Sequence, residues 1–410
     1  GKICSNNHMN PSSLTTIDLF AGAGGIAEGF RQAGFRCLLG NDYNEYAVET
    51  FRFNHPASEA VCAPIEELDP RRIRKQLGLA QGELATLVGG PPCQGFSINA
   101  PGRFVDDPRN SMFKHYLRFL DEFAPSVFMF ENVPGMLSFE EGKVFETILG
   151  EFNKRNYRTS PRILLAAHYG VPQTRWRTII LGSRIGEAPG HPAPTHYYEC
   201  RPNFKGGSTI AQRLIPLDEF RLNCAVNIGD AIADLPPLKP GEGEEVTDYS
   251  DIEPLSEFAR EMRAGSEFLY NHTANAIAPV NLERLRHIPP GGAWTSIPYE
   301  LLPEGMKRAR TSDHTKRYGR PAWDELSGTV LTKCDPHWGA VFHPEQERTF
   351  TVRECARFQS FPDHYRFRGP RVSQFEQVGN AVPVLMARAI GERIAQYLSA
   401  GQSTHAARVR

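Results

Sequence analysis

The segment GGPPCQGFS, Gly89 to Ser97, places a thiol directly behind two prolines. Pro91 and Pro92 stiffen that loop, and it follows an apolar run that reads as a strand, so Cys93 is a nucleophile candidate at a carboxyl sheet edge. A lone cysteine is more often an inert buried residue, although inert cysteines favour strand and helix interiors over Gly/Pro loops. ENV, Glu131 to Val133, closes the strand-like run SVFMF, so Glu131 faces the same edge. A carboxyl group partly withdrawn from water there can share a proton with a ring nitrogen; the other reading is a helix-capping acid. In QTRWR, Arg175 and Arg177 stand two apart at a strand start and share a face. Paired guanidinium groups suit a carbonyl oxygen or a phosphate, and surface ion pairing is the alternative.

A second constellation is suited to binding. Gly22, Gly24 and Gly25 fall at a strand-to-helix turn, where backbone N–H groups can approach a polar ligand closely. The spacing is not GxGxxG, which disfavours a pyrophosphate-bridged dinucleotide and fits a smaller nucleoside-bearing cofactor. Asp42, twenty residues after Gly22 and just past the next strand, stands where a carboxylate accepts ribose hydroxyls; a structural turn beside a surface aspartate would look alike.

These residues need a frame, and the chain supplies alternating elements. LTTIDLF (Leu14 to Phe20) reads as a strand and Ile26 to Phe35 as a helix. CLLGND reads as a strand, Ala47 to Phe53 as a helix, and Leu84 to Gly90 as a strand and turn. Met112 to Phe123 is helical, and SVFMF and Arg177 to Ser183 are strands. The alternation implies an α/β architecture, a parallel sheet with helices on both faces. Residues 1–13 read as a loose arm, 14–184 as the first part of the main domain, and 185–350 as a second, irregular domain rich in Pro and Gly. Residues 351–410 read as a return to the main domain, ending in a helix that places Val384, Leu385, Ile390, Ile394 and Leu398 on one face behind Pro383.

Within 185–350, the acidic stretch Glu242 to Glu253 reads as a solvated loop. The run Lys307 to Arg320 sets Lys307, Arg308, Arg310, Lys316, Arg317 and Arg320 against the single acid Asp313, which suits phosphate tracking or a basic surface helix end. Trp294, in a Gly/Pro loop, reads as buried. The 410 residues suggest two to three domains, and 46 Lys plus Arg against 47 Asp plus Glu leave any nucleic-acid face local. Eight cysteines without a CxxC pair argue against zinc knuckles and a disulfide framework. No run approaches the ~20 apolar residues of a membrane span, so the chain reads as soluble and intracellular.

Taken in order, DLFAGAGG, NDY, GGPPCQGFS, DPRNSMF, ENVPG, QTRWR, RECARFQSFPD and QVGNAVP resemble the motif series of DNA (cytosine-5)-methyltransferases of the bacterial restriction-modification type. The resemblance covers roughly Leu14 to Gly182 and Thr351 to Leu398. It implies a Rossmann-like S-adenosylmethionine-dependent methyltransferase domain with a smaller, irregular target-recognition domain. By the same resemblance Cys93 attacks carbon 6 of a flipped cytosine, Glu131 engages ring nitrogen 3, Arg177 holds oxygen 2, Arg175 supports the site and Asn132 orients the cysteine loop.

Phe20, Gly22, Ala23, Gly25, Asp42, Tyr43, Ile65, Pro92, Met112, Asn380 and Ala381 are implied around S-adenosylmethionine, which becomes S-adenosylhomocysteine; no metal is implied. Where relatives often carry Asp before Ile to read the adenine amino group, this chain has Pro64 before Ile65, leaving Glu66, backbone or water for that contact. Gln94, Ser97 and the basic run are implied on double-stranded DNA, with a loop at about Ser97 to Asp107 closing over it. Arg353 and Glu354 are expected to organise the smaller domain. The implied setting is a bacterial cytoplasmic, nucleoid-associated monomer, partnered functionally by a restriction endonuclease. Two alternatives stand beside it. One is a tRNA cytosine-5 methyltransferase, and the other is a catalytically silent regulator with the same fold, which the intact Cys93, Glu131 and Arg177 disfavour.

Overall fold

The computed structural model of the chain describes residues 14–92, 111–202, 204, 210–249 and 251–408. The arm at 1–13, Cys93, Gln94, Ser97 and the expected closing loop lie outside them.

Seven strands form the central sheet: β1 (Thr15–Leu19), β2 (Arg36–Asp42), β3 (Glu59–Cys62), β4 (Thr86–Gly89), β5 (Val127–Asn132), β6 (Arg158–Leu165) and β7 (Trp176–Ser183). Their spatial order is β3-β2-β1-β4-β5-β7-β6. β1 to β5 run parallel, and β7 runs antiparallel to both β5 and β6. The expectation of a wholly parallel sheet is therefore corrected at one edge. Only the segment from Ala166 to Arg175 separates β6 from β7, too short for the crossover that parallel neighbours need, so the chain reverses.

Side chains alternate across the sheet as the pleat requires. In β5, Val127 and Met129 enter one hydrophobic cluster and Phe128 and Phe130 the other; in β7, Ile179 and Leu181 oppose Ile180 in the same way. Helices α3 (Pro70–Gln76), α4 (Ser111–Phe123) and α5 (Lys143–Lys154) cover the second face, where Phe113, Tyr116, Phe128, Phe130 and Phe152 meet edge to face or tilted. The other face carries α1 (Gly25–Gln32), with α2 (Glu45–Asn54) beside it, and the long C-terminal helix. A Cβ at Gly29 would stand 2.6 Å from the Val384 carbonyl oxygen, so glycine is what lets these two helices approach so closely.

Beyond β7 the chain forms the short pair β8 (His196–Tyr197) and β9 (Asn223–Cys224), then α6 (Ile228–Ile232), the hairpin strands β10 (Gly243–Thr247) and β11 (Leu269–Thr273) on either side of α7 (Glu257–Arg263), and α8 (Pro279–Arg286). It closes with α9 (Val352–Phe358), α10 (Arg371–Asn380) and α11 (Val384–Arg408). The acidic stretch expected as a loop contains β10, an exposed strand paired antiparallel with β11. The segment read as one irregular domain divides in its packing. Ile228, Ile232, Phe258, Met262 and Leu269 share a cluster with Val384, Ile390 and Ile394, whereas Leu285, Trp294, Ile297, Met306, Tyr318 and Phe342 build a separate small core. Trp294 is buried in it, as its sequence context suggested.

Buried ion pairs tie these parts together. Arg357 meets Asp363 and Asp234 from within α9, and Arg348 grips Glu354 with two hydrogen bonds of 2.8 Å. Arg353 donates to the carbonyls of Tyr270, Pro362 and Tyr365. Arg353 and Glu354 thus hold segments of the fold together. Among the described residues no helix is long and apolar enough to cross a membrane.

Three buried histidines are held neutral. Burial depresses His55, His191 and His343 to about 4. His343 Nδ1 accepts the N–H groups of Glu345 and Gln346, which a protonated ring could not do. An unfolded chain binds protons at these rings below about pH 6.5 and the folded chain does not, so stability falls as pH drops through that window. Each ring contributes a loss on the order of 2 kcal/mol by pH 5. Thermal unfolding followed between pH 7.5 and 5 should show a steadily falling midpoint; a flat profile would contradict neutral burial.

Candidate active site

The carboxyl ends of β1, β4 and β5 open onto a cavity of about 880 Å³. This is the switch point of the sheet, where β2 and β4 lie on opposite sides of β1 and their following loops diverge. Phe20, at the end of β1, has a left-handed backbone with φ 57°, as does Gly22 with φ 54°, and this turns the chain sharply towards α1. Among the described residues nothing lies within 4 Å of the place a Gly22 Cβ would occupy, and Phe20, Gly22, Gly25, Asp42 and Tyr43 line the cavity.

Asp42 Oδ2 accepts the Gly22 N–H and Oδ1 the Asn44 N–H, both at 2.9 Å, so one carboxylate joins the turns after β1 and β2. Burial pushes its carboxyl group above the ordinary aspartate range, against the lowering effect of those N–H groups. Beneath the turn, the Tyr365 hydroxyl bonds the Ala23 carbonyl at 2.5 Å and His55 Nε2 at 3.0 Å. Asp18 lies deeper still, accepting the Ala27 N–H, and burial raises its carboxyl well above the usual range.

On the far side of the cavity, Glu131 Oε1 stands 2.7 Å from Arg177 Nε, both side chains largely withdrawn from water. Strand pairing explains the meeting. Glu131 and Asn132 at the end of β5 register with Ile179 and Thr178 near the start of β7, because β7 is antiparallel. A Cβ at Gly90 would come within 2.5 Å of Glu131 Oε2, so only glycine leaves the carboxylate in place. Asn132 Nδ2 donates to the Pro91 carbonyl at 3.0 Å, anchoring the loop two residues before Cys93, and Pro92 lines the cavity.

Arg175 is buried, donating to the carbonyls of Val330 and Gly379, and burial together with the Arg177 charge pushes its guanidinium down. It braces the wall from behind, while Arg177 lies in front beside Glu131. Gln173 from the same motif has an equally central position that attention to the arginines missed. Its amide binds the Phe358 carbonyl, Gln359 and the Val330 N–H, and so joins three distant segments.

Of the expected cofactor residues, Asn380 and Ala381 also line the cavity; Ala23, Ile65 and Met112 do not. The Ala23 and Ile65 side chains are buried in the two sheet-face clusters, and Met112 packs against the second. Glu66 is exposed. Thr329 to Lys333, Trp338, Glu376 and Gln377 line the cavity as well; Gln377 opens the QVGN motif, and the others carry no sequence signal.

The basic run is not uniform. Arg308, Arg310 and Lys316 are exposed, whereas Lys307 pairs with Glu304. Arg317 lies over the Trp338 ring. Arg320 departs from the phosphate-contact expectation, because its guanidinium donates to the carbonyls of Ile288, His343, Pro344 and Glu345 and so braces the small core.

The model of C-5 cytosine-specific DNA methylases matches residues 14–396. The chain belongs to this family. Its enzyme class is accordingly S-adenosylmethionine-dependent DNA (cytosine-5-)-methyltransferase. It is similar to the type II methyltransferase M.AgeI of Thalassovita gelatinovora, 36% identical over 93% of this chain and 99% of that protein. It is also similar to the type II methyltransferase M.DdeI of Desulfomicrobium norvegicum, 33% identical over 94% and 89%. A prophage-encoded E. coli protein assigned as a DNA modification methyltransferase shares the fold at a TM-score of 0.69 and 22% identity, covering 94% of this chain and all of its own.

The residues around the family's methyl donor fit it. The open space at Gly22 and the half-buried Asp42 suit its ribose and methionine parts, and the exposed Tyr43 ring suits adenine. Replacing Gly90 by Ala should displace the Glu131 carboxylate from Arg177. Methyl transfer should fall at least about 10-fold while the folded state persists by circular dichroism, and unimpaired transfer would contradict this geometry.

Proposed function

We propose that this enzyme methylates carbon 5 of a cytosine everted from duplex DNA, by way of a covalent bond to Cys93. What carries the reading is the 2.7 Å Glu131–Arg177 pair, on the same cavity wall as Pro92, which precedes the thiol. Eversion is required because carbon 6 is out of reach within a base stack, and it costs roughly a few kcal/mol that protein contacts offset.

In the proposed sequence the Cys93 thiolate adds to carbon 6 while Glu131 delivers a proton to ring nitrogen 3. The addition turns the neighbouring carbon 5 into the nucleophilic end of an enamine. Arg177 holds oxygen 2 and keeps Glu131 oriented, and Arg175 fixes the start of the strand that presents Arg177. Asp42 and the turn at Gly22 would hold S-adenosylmethionine, which when bound would supply the methyl group that carbon 5 accepts. Solvent takes the carbon 5 proton as the carbon–sulfur bond breaks and the thiolate leaves, nitrogen 3 returns its proton to Glu131, and the enzyme is restored. Asn132 positions the cysteine loop through the Pro91 carbonyl.

Similarity to type II methyltransferases supports a protective role on bacterial DNA alongside a restriction endonuclease. In that role the enzyme works in the cytoplasm as a monomer on DNA, with the exposed Arg308, Arg310 and Lys316 contacting phosphates. The test supplies labelled S-adenosylmethionine with either duplex DNA or tRNA. Label should enter duplex DNA only, Cys93→Ser should abolish transfer while retaining duplex binding, and binding should weaken with salt. Transfer to tRNA alone, or full transfer by the serine variant, would overturn the proposal.

A further inference from the structure

Trp338 is exposed to 58% of its surface, whereas Trp294 is buried and Trp176 and Trp323 are half-buried. An exposed indole that lines a cavity offers a flat apolar face to a bound ring. Trp338 lines the same cavity as Glu131 and Arg177, and its neighbour Gly339 packs against Leu331 of the lining segment Thr329 to Lys333. Phe20 and Tyr43 are the other aromatic rings among the described lining residues, and the chemistry described above gives Trp338 no part.

The ring is held firmly despite its exposure. The N–H groups of His337 and Trp338 both return to Asp335, at 2.9 Å and 3.0 Å, closing a tight turn. The His337 ring stands edge-on to the indole with centroids 4.8 Å apart, and Tyr318 packs edge-on against His337 in turn. The Arg317 guanidinium lies over the indole at 4.8 Å. Arg317, expected on a phosphate, is engaged with this ring.

We propose that Trp338 stacks on a nucleobase of the duplex next to the everted cytosine, with Arg317 as the positioning residue that fixes its plane. The proposal rests on the reading of duplex DNA as substrate. Eversion exposes π-faces of the neighbouring bases, and a rigid indole at the cavity mouth covers one of them while losing its own exposure to water. Stacking of this kind tolerates any base, so Trp338 contributes to the grip on the opened duplex and leaves base identity to other contacts.

The experiment uses the full chain and a mixed-sequence duplex that the wild type methylates. Adding the duplex should quench tryptophan emission, and Trp338→Phe should lose most of that quench. Trp338→Ala should raise the KM for duplex at least about 5-fold without changing the KM for S-adenosylmethionine, and Trp338→Phe should recover most of the loss. Arg317→Ala should move the same way to a smaller extent. The salt dependence of duplex binding should be unaltered in Trp338→Ala, because no phosphate contact is removed. An unchanged duplex KM in Trp338→Ala, or a full quench persisting in Trp338→Phe, would overturn the proposal while leaving duplex methylation by the wild type intact. A wild type that methylates tRNA and not duplex DNA would overturn the underlying reading and this proposal together.

Discussion

The direction of one strand decides the site. Had β7 joined the sheet parallel to β5, its first residues would lie at the opposite edge, a strand length from Glu131. Running antiparallel, β7 begins where β5 ends, and Arg177 reaches the Glu131 carboxylate at 2.7 Å. That single reversal sets a guanidinium and a carboxyl group side by side at the carboxyl edge of the sheet. The pair stands beside the loop that leads to Cys93 and shares a cavity with the glycine turn of β1.

Holding the pair there depends on buried polar groups bonded to the backbone of other segments. Gln173 and Arg175 donate to carbonyls of Phe358, Val330 and Gly379, each more than 150 residues away, and Gln359 donates to those of Val378 and Ala381, so the wall of the cavity is fastened to distant segments. Arg348 with Glu354, and Arg357 with Asp234 and Asp363, extend the same scheme through α9. Removing one partner of such a pair strands a buried charge, typically at about 3–5 kcal/mol, which makes these networks far less tolerant than the apolar packing around them. Their value lies in the fixed geometry, since an ion pair that desolvated contributes little net stability.

Much of this arrangement was legible in the sequence. The glycine turn, Asp42, the Pro91–Pro92 pair, ENV and the QTRWR arginines each sit at or just past a strand end, and strand ends are marked locally by a change from apolar period to Gly, Pro and polar residues. The strand β6 was not legible, because Pro161 and the polar residues around it hide its pattern, and with it went the antiparallel edge. The wall formed by Thr329 to Lys333 and Trp338 was equally hidden. It has no regular secondary structure, and its position follows from Gln173 and Arg175, bonds that cross the whole chain and leave no periodic trace. Arg320 shows the converse limit: composition groups it with exposed basic residues, while four backbone carbonyls claim it.

The account turns on a carbon–sulfur bond between Cys93 and the base beside Glu131. A duplex oligonucleotide carrying 5-fluorocytosine at a methylated position blocks the last step, because fluorine cannot leave as the carbon 5 proton does. Incubated with the enzyme and S-adenosylmethionine, it should give a complex that survives denaturation, and peptide mapping should find the base on Cys93. No denaturation-resistant complex, or attachment at another thiol, would contradict the account.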